Sequence, residues 1–291
     1  MKTPAAFLLA ACLAPTCLAG FDPANLDPTV SPGADFYRYA VGGWLRTHSI
    51  PADRSSWGAD DELQSSNEKI LHDIASGAST AANPGFIEKM VGDFYASGMD
   101  EKTVDALGIL PLRTELDRIG SLSSVAEVTG LVARLHSIGL GVCFGFGSEQ
   151  DSKDSDRMIG GLGQGGLSLP DRDYYLRTDA DSAKLRDDYV LHAARIFALA
   201  GDDPASARRE ADAMMRIETA LAKGSRTAAD LRDPAANYHP TPLADLGKLA
   251  PHFDFRAYFA GIGLAAPASV DVGQPEFLQA MDAEIASAPL S

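Results

Sequence analysis

Along most of this chain apolar residues recur three and four positions apart, with polar residues between them, which is the spacing of amphipathic helices. Asp35 stands where a helix N-cap is needed, ahead of a segment that places Phe36, Tyr39, Ala40 and Trp44 on one face. Ser55 and Ser56 open a longer segment running towards Ile74, with Leu63, Ile70, Leu71 and Ile74 as its apolar stripe. The same periodicity predicts helices over residues 86–97, 110–119, 124–138, 180–200, 204–223 and 276–286. Between 140 and 168 the spacing changes. Val142-Cys-Phe144 and Met158-Ile159 are short β-like runs on either side of a polar stretch at 148–156, and they predict a small hairpin. Residues 21–33, with Pro23, Pro28, Pro32 and Gly33, describe an extended arm. Asn83-Pro84, Asp202-Asp-Pro204, Asp233-Pro234 and His239-Pro-Thr-Pro242 punctuate the helices. The expected fold class is mainly α, with one small β-hairpin near 140–168.

The first residues break this pattern. MKTPAAFLLAACLAPTCLA has one basic residue, Lys2, an apolar centre at 5–14, and small residues at the positions expected before a cut after Ala19. This reads as a secretory signal peptide at 1–19, so the protein is expected to be exported, to the periplasm or the medium. The rival reading, lipidation at Cys12, leaves too short an apolar region. Loss of the leader removes Cys12 and Cys17 and leaves Cys143 alone, so no intramolecular disulfide forms. After residue 20 no apolar run is long enough to span a membrane. With 40 acidic against 25 basic residues and a net charge of −15, the chain is not built to bind nucleic acid.

Each candidate motif has a plainer structural reading. None of the six histidines has another four residues on, and none is followed by Glu, so the H-E-x-x-H zinc-hydrolase pattern is absent. Gly161-Leu-Gly-Gln-Gly-Gly166 matches G-x-G-x-x-G, but Pro170 follows and no helix starts, so a packed turn is expected in place of a phosphate cradle. Asp151-Ser-Lys-Asp-Ser-Asp156 begins like a calcium loop yet lacks the turn-forming Gly and the closing Glu, and reads as a solvated acidic turn. G-x-S-x-G is missing. Cys143 lies in an apolar run and reads as a buried structural thiol, not a nucleophile. Trp44 and Trp57 read as core anchors. These features alone stop at an exported, acidic, mainly helical protein.

Three blocks carry the reading further. Asp27-Pro-Thr-Val-Ser-Pro-Gly-Ala-Asp-Phe-Tyr-Arg-Tyr39 with Gly42-Gly-Trp44 and Ile50-Pro-Ala-Asp-Arg-Ser-Ser-Trp-Gly58 resembles the mature N-terminus of the neprilysin and endothelin-converting-enzyme family of zinc metallopeptidases, bacterial branch. Gln164-Gly-Gly-Leu-Ser-Leu-Pro-Asp-Arg-Asp-Tyr-Tyr175 and Leu231-Arg-Asp-Pro-Ala-Ala-Asn-Tyr238 resemble later segments of the same family in the same order. The resemblance implies the N-terminal, multi-helix roofing lobe of a two-lobed ectopeptidase that hydrolyses short peptides. It implies three parts: the signal peptide at 1–19, an arm and helices at 20–79 that pack against a catalytic lobe, and a helical roofing domain at 80–291, incomplete at its C-terminus. Zinc is implied for the full-length enzyme and for none of these residues, because the family's ligands lie C-terminal to everything matched. The implied partners are short peptide substrates and the C-terminal catalytic lobe of the same protein.

The resemblance also implies substrate-binding positions. Animal members carry two arginines that read a peptide's terminal carboxylate, and alignment on Ile50-Pro51 and Gly58 places those positions at Ser56 and Gln64. Neither side chain carries a positive charge, so the expectation is weak preference for a free carboxylate, with Arg54 the nearby substitute. Without its catalytic segment the chain is expected to be inactive alone, exposing an apolar surface around Phe36, Tyr39, Trp44 and Trp57. The alternative readings are a naturally short, non-catalytic module that binds peptides or a peptidase in trans, and an unrelated helical exported scaffold. The ending directly after an amphipathic helix, with no polar tail, fits the first expectation, a stop within a longer protein.

Overall fold

The computed structural model describes residues 22–54 and 56–289, so the leader at 1–19, with Cys12 and Cys17, and the capping role read for Ser55 lie outside the described residues. Chain contacts divide it into two units, one up to Val104 and one from Asp105 onward. The predominance of helix is as the periodicity predicts, with twelve α-helices and one four-stranded sheet among the described residues.

In the first unit the arm is not uniformly extended. Asp22 caps a 3-10 turn at Pro23–Asn25 by accepting from Ala24 N at 2.9 Å. Helix α1, Phe36–Thr47, starts where expected, with Asp35 accepting from Arg38 N. It packs on the arm through glycine. A Cβ on Gly43 would sit 2.1 Å from Ala24 O, so only a residue without one lets the two backbones approach. Helix α2, Ala59–Thr80, begins later than the Ser55/Ser56 reading, because Asp61 reaches back to Gly58 N at 2.8 Å and sets Gly58 as the cap. Helix α3, Phe86–Gly98, returns against α2, with Gly92 lying on the Ala78 carbonyl. Helix α4, Glu101–Leu107, carries the chain across the unit boundary.

The second unit holds the core. After α5, Arg113–Gly120, and α6, Val125–Ser137, comes the hairpin, β1, Phe144–Asp151, and β2, Asp154–Gln164. It is longer than the two apolar runs suggested. Most of the stretch expected as a polar turn is strand, and the reversal is confined to Ser152 and Lys153 beyond a bulge at Gln150/Asp151. Helix α7 is Asp173–Leu176, α8 Ala180–Ala200 and α9 Pro204–Gly224. The segment expected to punctuate helices at 239–242 contains β3, Pro240–Pro242, followed by α10, Leu243–Leu249, α11, Phe255–Gly261, β4, Ser269–Val272, and α12, Pro275–Ser287. The sheet order is β1-β2-β4-β3, antiparallel except for β2 with β4. Phe144, Leu162, Val270 and Val272 bury one face of it against Tyr258, Phe259, Phe277, Leu278 and Met281.

Candidate functional site

The residues aligned with the family's carboxylate readers lie at the joint of α1 and α2. His48 ends α1, its ring stacked on Trp44 with centroids 4.6 Å apart, and its Nε2 lies 3.0 Å from Glu62 in the first turn of α2. In the loop between, Arg54 N donates to Pro51 O, and the Arg54 and Ser56 side chains are exposed. Gln64 is exposed on the second turn of α2, and its amide donates to Glu68 at 2.9 Å. Asp60, Asp61 and Glu62 already answer the positive end of the α2 dipole, which leaves Arg54 as the one cation in this stretch. Trp44 and Trp57 are half-buried and anchor no core.

The first unit turns apolar residues outward. Phe36, Leu63, Ile70, Leu71 and Ile74 are exposed, and on α3 Phe86 and Phe94 keep 82% and 83% of their surface in solvent, with Ile87 and Met90 beside them. Among the described residues up to Val104, Ala78 is the one buried hydrophobic side chain. Tyr39, expected on the exposed surface, is half-buried, while Tyr37 is exposed.

In the second unit the polar side chains of the second and third blocks serve architecture. Glu218 on α9 is buried and takes hydrogen bonds from Ser168, Tyr175 and Tyr189, tying the stretch before α7 to α8 and α9. Burial pushes the Tyr175 phenol up. Gln164 exchanges hydrogen bonds with the Arg226 backbone, and Arg226 spans Glu276, Ala236 O and Asn237, which joins the second and third blocks. Asp151 corrects the solvated-turn reading. It is buried at the hairpin bulge, where Lys153 N and the Tyr238 hydroxyl donate to it and hold its carboxyl below the usual range. Across β2, burial and then the Asp271 charge hold Glu149 above its ordinary value, and burial likewise raises Asp271, which accepts from His239 N. No periodicity in the sequence announces these carboxylates as neighbours; the sheet register brings them together.

The glycine-rich stretch is also corrected in part. Gly161 and Gly163 are strand residues of β2, and Gly165 and Gly166, just past the strand, press against the Cys143–Gly145 backbone, with Gly166 at φ +70°. Cys143 has φ +61°, and burial pushes its thiol up to about 11, against use as a nucleophile near neutrality. Among the described residues no three His, Cys, Asp or Glu side chains gather to hold a metal ion. These residues therefore do not fit a zinc site. No described helix is long and apolar enough to cross a membrane.

The sequence profile of peptidase family M13 matches residues 32–291. The chain belongs to peptidase family M13. Within M13, it is 30% identical over 253 residues to endothelin-converting enzyme-like 1 of Homo sapiens, covering 82% of this chain and 32% of that protein. It is 28% identical over 271 residues to neprilysin-3 of Drosophila melanogaster, covering 88% of this chain and 34% of that one. The chain thus spans about a third of the length of these M13 relatives. Zinc metalloprotease Zmp1 of Mycobacterium tuberculosis, solved with an inhibitor, superposes with a TM-score of 0.82 at 32% identity over 93% of this chain and 42% of its own. PepO of Lactobacillus rhamnosis shares the fold with a TM-score of 0.70 at 22% identity, over 86% of this chain and 40% of its own. The match to the N-terminal portion of M13 proteins and the mainly α architecture agree with the resemblance carried by the three blocks.

Proposed function

We propose that this chain is the non-catalytic N-terminal portion of an exported zinc metalloendopeptidase that hydrolyses short peptides. In this reading residues 20–79 pack against the catalytic lobe, residues 80–291 supply helical roof, and the zinc ligands lie in that lobe. The observation that carries it is the outward apolar surface of α1, α2 and α3 in a unit with almost no core of its own, a surface that a lobe of the same protein would cover. The M13 match and the share of relatives' length that it spans support the same reading.

The test is the mass of the native protein, detected with an antibody against residues after Ala19, together with peptide hydrolysis by the purified species. A species well above 30.7 kDa whose hydrolysis is abolished by a chelator is the expected result. A species at or just below that mass, silent with zinc added, would overturn it and leave a short binding module.

A further inference from the structure

The two edges of the sheet are built differently. β3 carries Pro240 and Pro242, which have no N–H to offer a further strand. β1 has neither proline nor lysine, and apart from Phe144 N, which donates back to Val142 O, no described backbone group outside β2 pairs with β1. Its middle, Gly145 and residues 147–150, is exposed, with open space where a Cβ of Gly147 would stand. The charge that could guard this edge is turned away from it. Glu149 lies over Gly161, within 2.5 Å of where that residue's Cβ would be, and Asp151 is buried.

Beside the first half of β1 lies a cavity of about 390 Å³, walled by His136, Leu140, Phe144, Phe146, Tyr258 and Ile262. Its walls are set in place. His136 takes Tyr258 Oη on Nδ1 at 2.7 Å and holds Val142 O through Nε2 at 2.8 Å, and the Phe144 ring packs edge-on against both His136 and Tyr258. An unpaired strand edge next to a preformed apolar cavity is the geometry of strand addition, in which main-chain bonds give affinity and a pocket for alternate side chains gives selectivity.

We propose that the free edge of β1 binds an extended peptide as a fifth strand of the sheet, with one apolar side chain of that peptide seated in the cavity beside Phe144 and Phe146. The occupant is neutral or basic. The exposed hairpin end carries Glu149, Asp154 and Asp156 against Lys153 and Arg157, and the whole chain has a net charge of −15, which steers basic peptides in and opposes a second copy of the same edge. The ligand class rests on the peptide-handling function proposed above; the edge and the cavity do not.

The probe is a fluorescein-labelled heptapeptide, KVTFTVK, titrated into the purified native protein, with backbone hydrogen exchange followed in parallel. Binding should slow exchange of alternate β1 amides. N-methylation of the peptide on one edge should abolish binding, and on the other edge leave it. Replacing the central Phe by Ser, or Gly141→Leu at the exposed cavity rim, should each weaken binding about tenfold. Gly141 has open space at its Cβ position, and Gly141→Ala is the milder variant should Leu disturb the fold. Binding without β1 protection, or indifferent to both substitutions, would overturn the proposal, as would protection that grows with protein concentration alone, the mark of a second copy. Chelator-sensitive cleavage of the heptapeptide without any β1 protection would sink this inference and leave the proposed function standing.

Discussion

At the scale of single residues, charge bears on the carboxylate-reading role that the resemblance implies for Ser56 and Gln64. Ser56 carries no charge, Gln64 is engaged by Glu68, and Arg54 is the one Lys or Arg in residues 50–64. In the enzyme proposed above, free-acid peptides and their C-terminal amides should therefore be cleaved with kcat/KM values within about threefold of each other. A large preference for the free acid that disappears in Arg54→Ala would show Arg54 to be the reader. A second consequence concerns Asp271, whose carboxyl is raised by burial and by the Asp151 charge, and which in turn raises Glu149. A carboxyl with a raised native pKa binds its proton more tightly folded than unfolded. Its favourable contribution is complete below the unfolded value and is lost as pH rises through the native one. Asp271→Asn keeps an oxygen for His239 N and removes the charge. Its melting temperature relative to the parent should rise between about pH 4 and about pH 7, measured by circular dichroism. An unchanged difference would mean that the sheet tolerates both charges without cost.

At the scale of elements, glycine and alanine at the helix contacts set which faces remain free. Gly92 lies directly on Ala78, so α2 and α3 meet through backbone, and Phe86, Met90 and Phe94 point elsewhere. Two exposed Phe side chains on one helix face are worth about 1.5–3 kcal/mol each when fully buried, which is ample reason for a partner surface. The expected outcome is strong fluorescence of a hydrophobic dye with this chain expressed alone. Phe86→Ser with Phe94→Ser should cut that signal by more than half while leaving the unfolding of the second unit unchanged. Loss of the second unit's transition in the double variant would show the exposed face to be structural.

At the scale of the whole molecule the two units differ in what holds them. The second has a continuous aromatic and aliphatic core around Tyr258 and Phe277, whereas the first buries little beyond Ala78. Local stability follows buried apolar contact, so the first unit should open at lower free energy. Limited proteolysis of this chain should cut within residues 22–104 first and leave a resistant product beginning near Asp105. Equal rates in both units would contradict this.

Much of the architecture was legible in the chain because it is local. The Asp35 cap, the 3.6-residue stripes of α1, α2, α3, α6, α8, α9 and α12, and the change of spacing near 140 depend on residues a few positions apart. The three blocks likewise announced membership of M13, since motif order survives without knowledge of contacts. What escaped was non-local. β3 and β4 are three and four residues long, too short for a period, and exist because β2 offers β4 a parallel edge. The burial of Asp151, the raised Glu149 and Asp271 pair and the Glu218 network bring together residues tens of positions apart, set by sheet register and helix packing. The outward direction of the α3 stripe was decided by Gly92 pressing on Ala78. Periodicity shows that a face is apolar; only the packed chain shows whether anything covers it.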